Sequence, residues 1–322
     1  MKRCALFLPF VIFCLIASVA WAGPYAVSVN QFVEHPSLDA VLKGFQDGLR
    51  AQGVDATYSV HTAQANMATA NQIASLIAGE KPDLVLAIAT PSAQACALAA
   101  KKSPILAKTP LLFTAITDPV GAGLVADLNA PGANITGVSD MLPVDKHMGL
   151  VRRFFPELKK LGMIYNAGEA NSKTTVAMVQ EEGAKVGFVV VEATVAKSSD
   201  VYQAAKSLVG KVDAIYLPTD NTVISAVESV IKVCEEEKIA LFSADVDSVQ
   251  RGTMAALAFD YYQHGVQTAA MAKRLLQDGA KPADTPVETQ RELILHLNMK
   301  AAAKMGVTVP EDVRQSATKV LE

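Results

Sequence analysis

Cysteine is scarce in this chain, with four among 322 residues, and two of those, Cys4 and Cys14, lie in the first 22. The others, Cys96 and Cys234, sit in helical patterns far apart in the chain. No disulfide framework is expected, and both read as buried thiols. The five histidines, His35, His61, His147, His264 and His296, are scattered. With no second histidine or cysteine at ligand spacing, a metal site has no support. A nucleophile elbow and a Gly-rich phosphate loop are both missing, and Gly121-Ala122-Gly123 lacks the rest of a dinucleotide fingerprint. Glu34-His35 is the one acid–base pair in a loop, and no nucleophile accompanies it, so an enzyme is not expected. Lysine and arginine total 29 against 32 acidic residues, for a formal net charge of -3. The basic residues are dispersed, which speaks against nucleic acid as a partner. Past residue 22 no apolar run is long enough to span a membrane. No cofactor is expected.

The N-terminus carries a separate signal. Lys2 and Arg3 precede an almost unbroken apolar run from Cys4 to Ala20, and Ala20-Trp21-Ala22 fits a small-x-small cleavage site. Residues 1–22 read as a secretory signal peptide cleaved after Ala22. Bulky Phe13 before Cys14, deep in the apolar run, argues against lipidation.

The rest of the chain is 300 residues of alternating short β-branched runs and longer amphipathic segments. Tyr25–Asn30 reads as a strand, and Leu38, Val41, Leu42, Phe45 and Leu49 then share one helical face. Val54–Val60 is the next strand; Ala70, Ile73, Ala74 and Ile77 mark the next helix. Leu84–Ala89, an apolar run between Pro82 and Pro91, suits a strand covered on both faces. A helix from near Ser92 and a strand within Ile105–Phe113 follow. The pattern restarts after Pro143. Helices are expected over Lys146–Phe155, Thr174–Val186, Val201–Leu208 and Val223–Glu236. Strands are expected over Leu161–Tyr165, Val189–Ala193, Ala214–Leu217, Ile239–Ser243 and Ala255–Phe259. A long helix, Tyr262–Leu276, comes last and is expected to return to the first unit.

Repeated strand–helix units predict two doubly wound parallel-sheet lobes of α/β class with a ligand cleft between them. The N-terminal lobe is expected to hold residues 23–138 and about 260–286, the C-terminal lobe 139–259 and about 287–322. The connectors would act as a hinge.

Open parallel sheets bind ligands beyond the carboxyl ends of their strands. In the first unit those ends carry Gln31 and Glu34, then Thr90 and Ser92, then Thr117 and Asp118. In the second they carry Asn166, Glu169, Asn171 and Ser172, then Thr219, Asp220 and Asn221, and finally Asp245. Each has a structural alternative. Thr90, Ser92, Asn171 and Ser172 are also helix-capping residues, Asp118-Pro119 is an ordinary turn pair, Asp220 could instead cap a helix, and Asp247 could equally be the inward-facing residue in place of Asp245.

The blocks Gln31-Phe32-Val33-Glu34-His35-Pro36, Ala89-Thr90-Pro91-Ser92, Thr117-Asp118-Pro119-Val120-Gly121, Glu169-Ala170-Asn171-Ser172 and Pro218-Thr219-Asp220-Asn221-Thr222 make the chain recognisable. It resembles the ABC transporter substrate-binding family that includes periplasmic tryptophan- and tyrosine-binding proteins. The resemblance implies a type I periplasmic-binding fold, a periplasmic location and transient contact with an inner-membrane permease; with no extended exposed patch that would require a homo-oligomer, a monomer is expected. It implies a free amino acid as ligand, preferentially aromatic, whose charged groups would meet Thr90, Ser92, Asn171, Ser172 and Asp220. Gln31 and Glu34 would line the cleft. Chemistry agrees, since hydroxyls and helix amides serve a carboxylate and Asp220, Glu169 or Asp245 an ammonium group. Another small solute, or a sensory role for the same fold, stays open from sequence.

Overall fold

A computed structural model describes residues 23–322, so the expected signal peptide lies outside the described residues. The first unit runs β1 (Tyr25–Gln31), α1 (Pro36–Ala51), β2 (Ala56–Thr62), α2 (Met67–Glu80), β3 (Leu84–Ile88), α3 (Thr90–Ala100), β4 (Leu111–Ile116) and β5 (Ile135–Ser139). Strands β3, β4 and β5 have every residue buried, because helices cover both faces. Strand β4 begins at Leu111, later than its sequence suggests. Residues 104–108 form turns instead, held by the Thr109 hydroxyl donating to Ile105 O at 3.1 Å, and Ile105 itself is exposed.

The second unit contains α4 (Val144–Phe154), β6 (Lys160–Asn166), α5 (Ala170–Val186), β7 (Val189–Val195), α6 (Val201–Ser207), β8 (Ala214–Leu217), α7 (Asn221–Ile224), α8 (Val227–Glu237), β9 (Ala240–Ser243), α9 (Asp247–Arg251) and β10 (Ala255–Ala258). The single helix expected over Val223–Glu236 is in fact α7 and α8, broken at Ser225 and Ala226. Asp220 starts a short turn of helix early, and the Ser225 hydroxyl bonds back to Thr222 O at 2.8 Å. The chain continues through α10 (Tyr261–Leu276), β11 (Glu288–Thr289), β12 (Ile294–Asn298), α11 (Met299–Lys304), α12 (Glu311–Ser316) and β13 (Lys319–Leu321).

Strand order is β11-β5-β4-β3-β1-β2 in the first sheet and β13-β12-β10-β9-β8-β6-β7 in the second. The first sheet is parallel throughout. The second is mixed, because β12 runs antiparallel to β10 and carries the parallel strand β13 with it. Each sheet has its own apolar core. Helix α10 belongs to the first, through Tyr261, Ala269, Met271, Ala272 and Leu275. It lies so close to α1 that a Cβ on Gly44 would stand 2.0 Å from Tyr262 O, and one on Gly265 2.0 Å from Val41 O. The chain passes between the sheets three times, after β5, after β10 and after β11.

Candidate ligand-binding site between the lobes

Carboxyl ends of strands from both sheets face one another across an inner cavity. From the first unit it is lined by His35, Ser37 and Leu38 at the start of α1, and by Ala115 and Thr117 at the end of β4. Asp140, just past β5, and Tyr261, opening α10, line it from the crossings. The second unit supplies Asn171, Thr219, Asp220, Asn221, Ile224 and Asp245. In this closed arrangement the cavity has room for little more than a water molecule. A larger guest enters only when the lobes part. Bonds between the lobes hold it shut: the Ser37 hydroxyl donates to Asp245 Oδ1 at 3.0 Å, the hydroxyls of Thr117 and Thr219 lie 3.1 Å apart, and the Thr174 hydroxyl donates to Asp118 Oδ2 at 3.3 Å. A wider groove of about 1210 Å³ opens beyond it, between the loops after β2 and β6 and the end of β7.

Of the sequence candidates, Thr117, Asn171, Asp220, Asn221 and Asp245 come together at the inner cavity, while Asn166 and Glu169 line the outer groove. Gln31, Glu34, Thr90, Ser92 and Ser172 line neither. Gln31 donates to Val33 O at 3.0 Å and to Asp39 Oδ1 at 2.7 Å, shaping the loop into α1. Glu34 is exposed and accepts from Thr62. The Ser92 hydroxyl donates to Asn30 Oδ1 at 3.0 Å, whereas the buried Thr90 hydroxyl has no partner.

The second-lobe carboxylates are heavily bonded within their own lobe. Asp220 caps α7 by accepting from Val223 N at 2.8 Å, and its other oxygen accepts from Asn166 N and the Ser172 hydroxyl, each at 2.6 Å. Glu169 accepts from the amide and side chain of both Asn221 and Thr222, at 2.6 to 3.2 Å. Asn166 completes the cluster by donating to the Thr222 hydroxyl at 3.0 Å. Burial, with Glu169 beside it, pushes the Asp220 carboxyl up to about 8. Asp245 is raised by burial and accepts from the amide and hydroxyl of Ser248, both at 2.8 Å.

Asp140 differs. It accepts from the Thr117 hydroxyl at 3.1 Å and the Tyr261 hydroxyl at 2.8 Å, and is 2% exposed. The hydrogen-bond partners of Asp140, Asp220 and Asp245 are all neutral hydroxyls and amides. Arg251, which acts on Asp245 from a distance, is itself paired with Glu228 at 2.7 Å. Three buried carboxylates around one cavity without a bonded cation favour a positively charged group between them.

Donors are present too. Helices α1, α3 and α5 begin without a side-chain cap, leaving amides free. His35 Nδ1 is buried without a partner, as is one acceptor, Asn171 Oδ1. Burial and then the Arg251 charge lower His35 to about 4, so it is neutral at physiological pH. Two alanines at strand ends adopt left-handed backbone, Ala89 at φ 76° and Ala115 at φ 55°. Such strain persists where surrounding structure holds it, often at ligand sites.

Sequence reasoning missed Ser37, Ala115, Asp140 and Tyr261. Asp140 follows a strand like the chosen residues, but its stretch, Ile135–Leu142, lies at the join of the two units and reads in sequence as a connector. Tyr261 opens a helix, where sequence gives an aromatic no mark of facing a cleft, and the register shift that sets Ala115 in the cavity wall leaves no sequence mark either.

Two α/β lobes, three crossings and a polar cavity shut between strand ends define a two-lobed solute receptor. The chain belongs to the ABC transporter substrate binding protein family, whose model matches residues 26–321. It is 41% identical over 276 residues to the tyrosine-binding protein of Clostridioides difficile, covering 84% of this chain and 78% of that protein. Among solved structures it is similar to a conserved domain protein from Vibrio cholerae, at 42% identity and a TM-score of 0.88, covering 92% of this chain and 99% of that one. It is also similar to an ABC domain from Streptococcus pneumoniae in complex with L-Trp, at 35% identity and a TM-score of 0.86, covering 92% of this chain and all of that one (100%). The expected type I periplasmic-binding fold holds, and the protein is an extracytoplasmic binding component and not an enzyme.

Proposed function

We propose that this protein captures a free aromatic amino acid, tyrosine or tryptophan first among them, and delivers it to the membrane permease of an ABC importer. The observation that carries the reading is the set of three buried carboxylates, bonded only to neutral groups, facing uncapped helix starts across one cavity. That pairing suits a zwitterion. The ammonium group pairs with Asp140, whose partners are two hydroxyls, while Asp220 works mainly as a cap and a brace. The carboxylate takes the free amides at the start of α1, with Asn171 and Asn221 opposite. Leu38, Ala115, Ile224 and Tyr261 offer the apolar wall. The relatives above, one a tyrosine-binding protein and one holding L-Trp, support the aromatic choice.

The lobes comprise 23–138 with about 260–286, and 139–259 with about 287–322. Sheet pairing of Ser139 and of Glu288–Thr289 suggests moving those two limits slightly into the first lobe. Export through cleavage after Ala22, action as a monomer and a transient permease contact complete the reading. Native mass spectrometry of protein purified without refolding should reveal a retained amino acid, and calorimetry on stripped protein should show one site. No heat with tyrosine, tryptophan or phenylalanine overturns the aromatic assignment.

A further inference from the structure

Strand β4 is interrupted where it meets the cavity. Ala115 has φ 55°, and the pairing with β5 shifts register between Thr114 and Ile116. A bulge of this kind re-aims the side chains around it. An alanine in the left-handed region stays there only when something holds it.

The hold comes from α10. The Ala115 amide donates to Nε2 of His264 at 3.1 Å, and that histidine is fully buried. The bond fixes the tautomer: Nε2 is bare, so Nδ1 carries the proton and faces Oε1 of Gln290, 3.3 Å away at the third crossing. Burial lowers the pKa of His264, so the acceptor persists at neutral pH. Asp140 opposes that shift, and Tyr261, whose ring lies 6.0 Å from the imidazole, is already bonded to Asp140. On the cavity side, Ala115 is part of the wall. Two residues on, Thr117 bridges Asp140 and Thr219.

We propose that His264 is a positioning residue for ligand binding: its imidazole holds the bulge that sets Ala115 and Thr117 in the cavity, and through Gln290 ties that bulge to the third crossing. It touches no ligand itself. This inference rests on the amino-acid-receptor reading above. A histidine that merely fills the core would be replaceable by any side chain of similar bulk, which gives the two roles different consequences.

His264→Gln places an amide oxygen about where Nε2 stands, whereas in His264→Asn the oxygen falls one bond short. Calorimetry with tyrosine and tryptophan should find the Asn variant at least about tenfold weaker than the parent and the Gln variant within about threefold, in proteins that melt alike. Unchanged affinity in the Asn variant, or an equal loss in both, overturns the proposal. Nitrogen NMR of the parent protein decides the matter even if neither variant folds. It should show an Nδ1-protonated ring with a hydrogen-bonded Nε2, and slow exchange at the Ala115 amide; a protonated Nε2 or a freely exchanging amide overturns it. If the parent binds no aromatic amino acid, the functional reading falls while the NMR result still judges His264.

Discussion

In the second lobe the helix starts at α7 and α9 are closed by carboxylates, whereas in the first lobe α1 and α3 begin bare. Asp220 and Glu169 together saturate the first amides of α7, and Asp245 serves Ser248 in α9 in the same way. Across the cleft, neither His35 before α1 nor Ala89 before α3 offers a capping bond. Where α7 and α9 begin, that wall is finished internally and contributes shape. The other keeps donors unfilled and contributes binding capacity. The contrast assigns stability to residues that sequence alone would assign to affinity, and it turns attention to Asp140, which belongs fully to neither wall.

The largest expected effect tests the finished wall. Asp220→Ala strands three donors and removes a cap, so the ligand-free protein should lose about 2–4 kcal/mol in urea unfolding. A variant with unchanged stability and collapsed affinity would reverse the assignment of the two walls. Next comes Asp140→Asn, which removes charge yet leaves an acceptor for Thr117 and Tyr261. Affinity for the amino acid should fall by about 2–3 kcal/mol, roughly 30- to 150-fold, with a smaller change in melting. Equal affinity would move the ammonium site to Asp245.

A pH series sharpens the same comparison. Burial beside Glu169 raises the Asp220 carboxyl to about 8 when folded, above its value of 3.8 when free. The folded state therefore holds a proton that the unfolded chain releases. That stability is complete below the unfolded value and is lost as pH rises through the folded one. His35 and His147 shift the opposite way, to about 4, so their influence ends near 6.5. From there to about 8, Asp220 should dominate, and the protein should lose about 1–2 kcal/mol on raising the pH. Asp220→Asn should flatten that slope; a stability that instead rises with pH contradicts the raised carboxyl. The smallest effect belongs to the open wall. Ser37→Ala removes one bond between the lobes and should weaken affinity by about 1 kcal/mol. Solution scattering should then show a less compact ligand-bound state than the parent's.

Much of the fold was legible because alternating apolar runs and helical stripes repeat at regular spacing. Leu84–Ile88 and Ala214–Leu217 lie where continuous apolar sequence between punctuating residues put them. The antiparallel turn at β12 was not legible, since its residues pair with β10 residues 36 to 42 positions earlier and pairing direction leaves no local trace. For the site, polarity at strand ends found Thr117, Asn171 and Asp220 correctly as neighbours of the cavity. It did not say which way each side chain spends its hydrogen bonds. Glu169 and Ser172 look like ligand groups in sequence, and their bonds to Asp220, Asn221 and Thr222, 48 to 53 residues onward, leave no local trace. Strain at Ala115 lies in a backbone angle, which alanine of all residues gives no hint of.

The three crossings all lie along one margin of the molecule, near β5, β10 and β11, while β2 and β7 are the outermost strands at the opposite margin. A small rotation about those connectors becomes a long arc at the far rim, because displacement grows with radius. Met67 and Ser199, both exposed and both on the walls of the outer groove, sit at that rim. Dyes attached there would ride the ends of two levers. The same architecture that hides the ligand thus offers its capture as an optical signal, readable as energy transfer between one point on each lobe.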